Sequence, residues 1–243
     1  VKNGKMTVNF EHDAARKLWD NYYVPFVKGW FAASGRFRSD DIKAGNVLGY
    51  VGSCSSATFF PARVTNDANE SHDISMKALP SPEFADGEKV AVQQGAGMVV
   101  TAGKEEEIEA SVEFLKWFVQ PENNIAFAVG SGYLPVTREA NSMDTITSSG
   151  LTLNDSMEQI LTAAVDTVNG NRLYTPHAFA GGSSARKALE YGLSDLAAAD
   201  RETVEQRIAE GQSAADAEAE FLTNDHFEAW YQDICGQLKQ YED

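Results

Sequence analysis

A chain of 243 residues with 36 acidic and 20 basic side chains carries a formal net charge of −16. That balance repels polyanions and no Lys/Arg cluster reverses it locally, which argues against nucleic acid or an anionic membrane surface as a partner. With 43% hydrophobic residues, the chain has apolar material for one large domain or two small ones, which excludes global disorder.

In chain order, Met6 to Phe10 alternates weakly and reads as a short strand. Glu11 to Phe31 reads as helix in two pieces broken at Pro25. Ser39-Asp40-Asp41 offers an N-cap to a short helix that stops at Gly45. Val47 to Val51 then reads as a buried strand running into the turn Gly52-Ser53-Cys54-Ser55-Ser56, followed by the apolar stretch Ala57 to Phe60. Ile74 to Leu79 alternates like a strand and Pro80-Ser81-Pro82 ends it. Asp86-Gly87 is a turn, and Val90 to Val100 holds two short apolar pieces.

Between Lys104 and Gln120 the pattern predicts an amphipathic helix. Ile108, Val112, Leu115 and Val119 fall on one stripe, and Glu105 to Glu107 complement the dipole of the first turn. Pro121 closes it, and a shorter helix from Glu122 to Val129 ends at Gly130-Ser131-Gly132-Tyr133-Leu134-Pro135. The remainder reads as helices over Asp155 to Val168, Ser183 to Leu196, Arg201 to Gly211 and Asp225 to Tyr241, with Ser213 to Glu220 as a linker or exposed helix. The total is α/β or α+β with few strands and a helix-rich C-terminal half.

The turn around Ser53, Ser55 and Ser56 is the best local candidate for a site. A small-residue turn between strand and helix aims backbone N–H groups and hydroxyls at one spot, suited to a phosphate, a carboxylate or a sugar hydroxyl. The competing reading is that the serines only cap the helix. Cys54 in the same turn has the position of a nucleophile, with His12, His72, His177 or His226 as base, although none of these lies in a motif. Tyr133 stands out among the aromatic residues, because a Gly132-Tyr133-Leu134-Pro135 turn does not bury a whole ring and leaves it free to stack on a sugar face. Arg186 lies in the first turn of a helix, where a cation opposes the dipole unless something polar or anionic engages it.

Two cysteines, Cys54 and Cys235, are too few for a disulfide scaffold and lack the spacing of a zinc site; the sequence leaves their pairing open. No P-loop, dinucleotide fingerprint or metal motif occurs, so neither cofactor nor metal is expected. No apolar run approaches the roughly 20 residues that cross a bilayer. Val1 in place of Met, without a charged-then-apolar leader, reads as a processed or truncated chain.

Five pieces in order carry a family resemblance: Asp40 to Ser53, Leu79-Pro80, Gly95-Ala96-Gly97-Met98-Val99-Val100, Glu109 to Phe118, and Gly132-Tyr133-Leu134-Pro135-Val136. Together they resemble the extracellular solute-binding proteins of ABC importers, in particular the family 1 carbohydrate group and its glycerol-phosphate-binding branch. The resemblance covers the C-terminal part of such proteins. It implies a truncated α/β fold of the periplasmic-binding-protein type (type II), two-lobed and closing like a hinge, in which residues 1–92 belong to the C-terminal lobe, 93–134 to the N-terminal lobe and 135–243 to the C-terminal lobe again. It also implies a non-enzymatic, monomeric receptor outside the cell, anchored to the membrane through a missing N-terminus, that passes a sugar, oligosaccharide or polyol, phosphorylated or not, to a membrane permease. Carried over residue by residue, Ser53, Ser55 and Ser56 match a ligand-contacting serine turn, Gly95 a backbone contact, Tyr133 an aromatic or hydroxyl contact, and Arg186 an arginine after a Gly-rich loop. The wording Ala180-Gly181-Gly182-Ser183-Ser184 departs from that branch's usual loop. These residues alone are expected to bind ligand weakly or not at all. A thiol enzyme built on Cys54 and a protein-interaction module are the alternatives.

Overall fold

The computed structural model describes residues 6–35 and 37–242, so Val1, on which the truncation reading rests, lies outside the described residues. Among the described residues it is a helix-rich mixture of α and β with two small sheets, and the chain divides into two packing units. Unit 1 comprises residues 1–33 and 177–243, and unit 2 comprises residues 34–176.

Unit 1 is helical. Its first element runs without a break through α1 (His12–Leu18), a π turn (Trp19–Tyr23) and α2 (Val24–Val27), where the sequence suggested a break at Pro25. The wide π turn directly precedes the proline: the Val24 N–H bonds back to the Trp19 carbonyl, and Pro25 falls in the first turn of the resumed α segment, where a missing N–H is tolerated. Met6 to Phe10 is irregular rather than a strand, because side chains satisfy its backbone: the Val8 N–H donates to Glu242 Oε1 at 3.0 Å and Tyr231 donates to the Phe10 carbonyl at 2.9 Å.

The two helices expected over 183–196 and 201–211 are one 28-residue helix, α9 (Gly182–Ala209). Ala197-Ala198-Ala199 favours continuation, and the Asp200 carboxylate turns inward to Tyr23 and His226. The Ser213 to Glu220 segment forms the short α10 (Ala214–Glu218), whose Ala217 is fully buried, and α11 (Asn224–Leu238) completes the unit. Trp19, Tyr23, Phe26, Phe227, Trp230 and Ile234 dominate the core between these elements.

Unit 2 contains α3 (Arg38–Lys43), α4 (Cys54–Ala57), the antiparallel hairpin β1 (Arg63–Thr65) and β2 (Ser71–Asp73), β3 (Val90–Val92), α5 (Glu105–Phe118), α6 (Pro121–Ser131), α7 (Met143–Ser148), α8 (Asp155–Gly170) and β4 (Arg172–Tyr174), the last pairing in parallel with β3. The cap of α3 falls on Phe37 rather than Ser39, with Asp40 reaching back to the Phe37 N–H at 3.1 Å, and Gly45 ends the segment at φ +77°. Ile125, Ala140, Ile146, Leu161 and Val165 form the core where α6, α7 and α8 meet.

Two further expected strands are not formed. Val47 to Val51 is irregular, with Leu48 fully exposed, and Ile74 to Leu79 is irregular, its Ile74 N–H donating to the Ala62 carbonyl and its Ala78 N–H to Gln159 Oε1. Apolar alternation yields a strand only where another edge supplies a ladder. No described helix is long and apolar enough to cross a membrane.

Candidate functional site

The serine turn is built as the N-terminus of α4. Ser53 is the N-cap, in extended backbone, and its Oγ accepts from the Ser56 N–H at 3.2 Å. The other hydroxyls also close on the turn. Ser53 and Ser55 share a hydrogen bond of 3.1 Å between their Oγ atoms, Ser56 Oγ donates to the Ser53 carbonyl at 2.8 Å, and Thr58 Oγ1 donates to the Ser55 carbonyl at 2.7 Å. Tyr50 donates to the Ser56 carbonyl at 2.9 Å, and its ring stacks on Phe60. The turn therefore presents neutral hydroxyls, amides and carbonyls.

Tyr133 follows immediately on this surface. The C-cap of α6 is Gly132, in the left-handed region at φ +70°, and its Cα faces α4 so closely that a Cβ there would lie 3.2 Å from the Cys54 carbonyl oxygen and 3.3 Å from Ser55 Cα. Only glycine combines that φ with that approach. Tyr133 is 38% exposed; its N–H donates to Ser131 Oγ at 3.3 Å and its ring lies 6.0 Å from that of Phe127. The structure thus brings Tyr133 and the serine turn onto neighbouring backbone.

A cavity of about 580 Å³ opens beside α4, lined by Ala57, Thr58, Phe60, Met76, Asn154 and Ile160 among others. This volume falls in the range of small-molecule pockets. Ala57 and Thr58 bring the C-terminal end of α4 to this cavity, whereas Ser53, Ser55, Ser56 and Tyr133 do not line it; Met76, Asn154 and Ile160 were not singled out from the sequence, since nothing in their spacing links them to α4. Gly95 lies in an exposed loop with open space around its Cα. Arg186 belongs to unit 1, exposed as the fifth residue of α9 and so just past the first turn in which the sequence placed it; Gly181 before the helix adopts φ +79°. Unit 1 has its own groove of about 760 Å³ between α9 and α11, lined by Lys187, Tyr191, Asp195, His226 and Trp230 among others.

Burial pushes the Cys54 thiol above its ordinary pKa, only partly offset by backbone hydrogen bonds, so the thiolate needed by a nucleophile is disfavoured at neutral pH. Cys54 and Cys235 are both free. Two of the candidate bases are engaged elsewhere, His12 with Glu228 at 2.9 Å and His226 with Asp200 at 2.8 Å. With Cys235 replaced by serine, Cys54 is expected to react with iodoacetamide at pH 7 several-fold more slowly than a free cysteine peptide, as followed by mass spectrometry. Faster reaction than the peptide would restore the thiol-enzyme reading. Among the described residues, no group of three His, Cys, Asp or Glu side chains is arranged to hold a metal ion.

The family model described as bacterial extracellular solute-binding protein matches residues 2–152. No curated protein and no solved structure matches the chain. Members of this family capture small ligands outside the cell and work with ABC permeases. With well over half of its length matched, the chain belongs to the bacterial extracellular solute-binding protein family.

Proposed function

We propose that this protein captures an uncharged sugar, oligosaccharide or polyol and delivers it to an ABC permease, without chemistry of its own. One observation supports the reading: Tyr133, an exposed residue, directly follows Gly132, whose backbone lies against a turn of neutral hydroxyls. Aromatic faces suit the apolar C–H surface of a sugar, and hydroxyls, amides and carbonyls suit its polar edge. A phosphorylated ligand is the weaker choice here. Ser56 spends its hydroxyl proton on the Ser53 carbonyl and Ser53 and Ser55 share one bond between them, so the turn offers acceptors to sugar hydroxyls but few donors to a phosphate, and α4 spans only four residues, too short to present a developed dipole. Gly95 and Arg186 join the proposed contacts on the family resemblance alone, as do the type II two-lobed architecture and the lobe assignment of 1–92, 93–134 and 135–243.

The test is a titration of these 243 residues with neutral mono- and oligosaccharides and with glycerol phosphate, monitored by NMR at millimolar ligand. Shifts are expected for sugars, and Tyr133→Ala is expected to weaken them about tenfold, the equivalent of losing roughly 1.4 kcal/mol of stacking. Shifts with glycerol phosphate alone, or sugar shifts indifferent to Tyr133→Ala, would overturn the reading.

A further inference from the structure

The sequence holds two triplets of the form Asn-x-Ser in which x is not proline, Asn69-Glu70-Ser71 and Asn154-Asp155-Ser156. In a protein that works outside the cell such a triplet is an acceptor for an N-linked glycan, provided that it lies on an accessible loop. The fold treats the two differently. Asn69 lies at the tip of the hairpin β1–β2, where its N–H closes a turn on the Asn66 carbonyl at 2.9 Å and its backbone is left-handed, φ +63°. Every residue from Thr65 to Asp73 is exposed. The turn is held by Asn66, whose side chain meets the Glu70 N–H at 2.9 Å and the Glu70 carboxylate at 3.1 Å; the Asn69 carboxamide takes no part and has no partner among the described residues.

The hairpin has three paired positions and buries only Val64, and a two-stranded hairpin is by itself marginal in water. Its tip can therefore bend into an enzyme's cleft, the Ser71 hydroxyl giving up one exposed bond of 2.8 Å to Thr65 Oγ1. Asn154 is the opposite case. Its Oδ1 accepts from the Met157 N–H at 2.8 Å as the N-cap of α8, and Asp155 and Ser156 are fixed in the first turn of that 16-residue helix, so presenting this triplet means losing the cap and unwinding the helix start. The flanks differ as well. Asp67 stands two places before Asn69, the acidic form of the motif that bacterial oligosaccharide transferases read, whereas Thr152 stands two places before Asn154.

We infer that Asn69 is the attachment point of an oligosaccharide delivered outside the cytoplasm from a lipid-pyrophosphate donor. Asn69 Nδ2 attacks the anomeric carbon of the donor. The C–N bond forms as the anomeric C–O bond to phosphate breaks; the lipid pyrophosphate leaves with the bonding electrons, and the carboxamide releases one proton to it. The glycan then shields the outer edges of the hairpin, which are otherwise open to pairing with another chain. This assignment rests on the extracellular family and not on the ligand reading.

Peptide mass spectrometry of the protein isolated from the cells that make it provides the test. A glycan mass is expected on the peptide that carries Asn69 and not on the one that carries Asn154. Expressed in the same cells, Asn69→Gln should lose the adduct, and Ser71→Ala should lower its occupancy at least tenfold. An unmodified Asn69 in the unsubstituted chain, a measurement that needs no variant to fold, overturns the proposal. So does a glycan that persists in Asn69→Gln, or one carried on Asn154 instead.

Discussion

Replacing Asp200 with alanine is expected to lower the stability of unit 1 by about 3 kcal/mol, at the upper end of the cost of orphaning buried polar partners. Tyr23 is fully buried, with its ring stacked on Trp19 at 3.6 Å, and its hydroxyl donates to Asp200 Oδ2 at 2.5 Å. His226 Nε2 lies 2.8 Å from the same oxygen. One carboxylate thus ties the N-terminal element, α9 and α11 together, and its removal leaves the tyrosine hydroxyl without an acceptor in the core. Tyr23→Phe, which removes the donor as well as its need, is expected to cost about half as much, and the double variant less than the sum. Urea unfolding followed by tryptophan emission reads this unit, because Trp19 and Trp230 are buried in its core whereas Trp30 and Trp117 are largely exposed. An unchanged midpoint for Asp200→Ala would show that the three contacts contribute nothing net.

The same tyrosine sets a pH limit. Burial first, then the hydrogen bond to Asp200 and its charge, push the Tyr23 pKa far above the ordinary value of 10. A group whose folded pKa is raised keeps its proton in the native state after the unfolded chain has lost it. Stability is therefore unaffected below about pH 10 and falls above it by about 1.4 kcal/mol per pH unit for this one group. Burial raises Tyr50 and Tyr231 in the same direction, so Tyr23→Phe should flatten the alkaline loss without abolishing it.

These two groups also mark where sequence reasoning stops. Periodicity located α5, α6, α8 and α11 within a few residues, because a helix is a local structure and its caps and stripes lie within it. It failed for Val47 to Val51 and Ile74 to Leu79, because a strand depends on an edge elsewhere in the chain. It also divided α9 between Leu196 and Arg201, where the intervening Asp200 faces partners, Tyr23 and His226, that lie 177 and 26 residues away. The candidate site divides in the same way. The Ser53 cap and the Gly132 turn are legible locally, whereas their apposition across more than 70 residues, and the Met76 and Asn154 walls of the adjoining cavity, follow from tertiary packing.

Gly132→Ala is expected to destabilise unit 2 and weaken ligand binding together, and Gly150→Ala provides the control. Both glycines have left-handed backbone, φ +70° and φ +79°, so alanine at either meets the same local strain of about 1–2 kcal/mol. They differ in surroundings: a Cβ at Gly150 enters open space, while one at Gly132 lies 2.7 Å from Thr58 Cγ2 and within 3.3 Å of the Cys54 and Ser55 backbone. Thr58 can yield by rotating its side chain, but the backbone contacts relax only by moving the end of α6 away from α4. The excess cost at Gly132 is expected to be about 1–3 kcal/mol, the range for overpacking a close contact. That movement carries Tyr133 away from the serine turn, so sugar-induced NMR shifts should weaken in Gly132→Ala and persist in Gly150→Ala. Equal stability losses would mean that α6 and α4 are not pressed together at this point. Unequal losses with unchanged sugar shifts would mean that they are, and that the ligand does not bridge them.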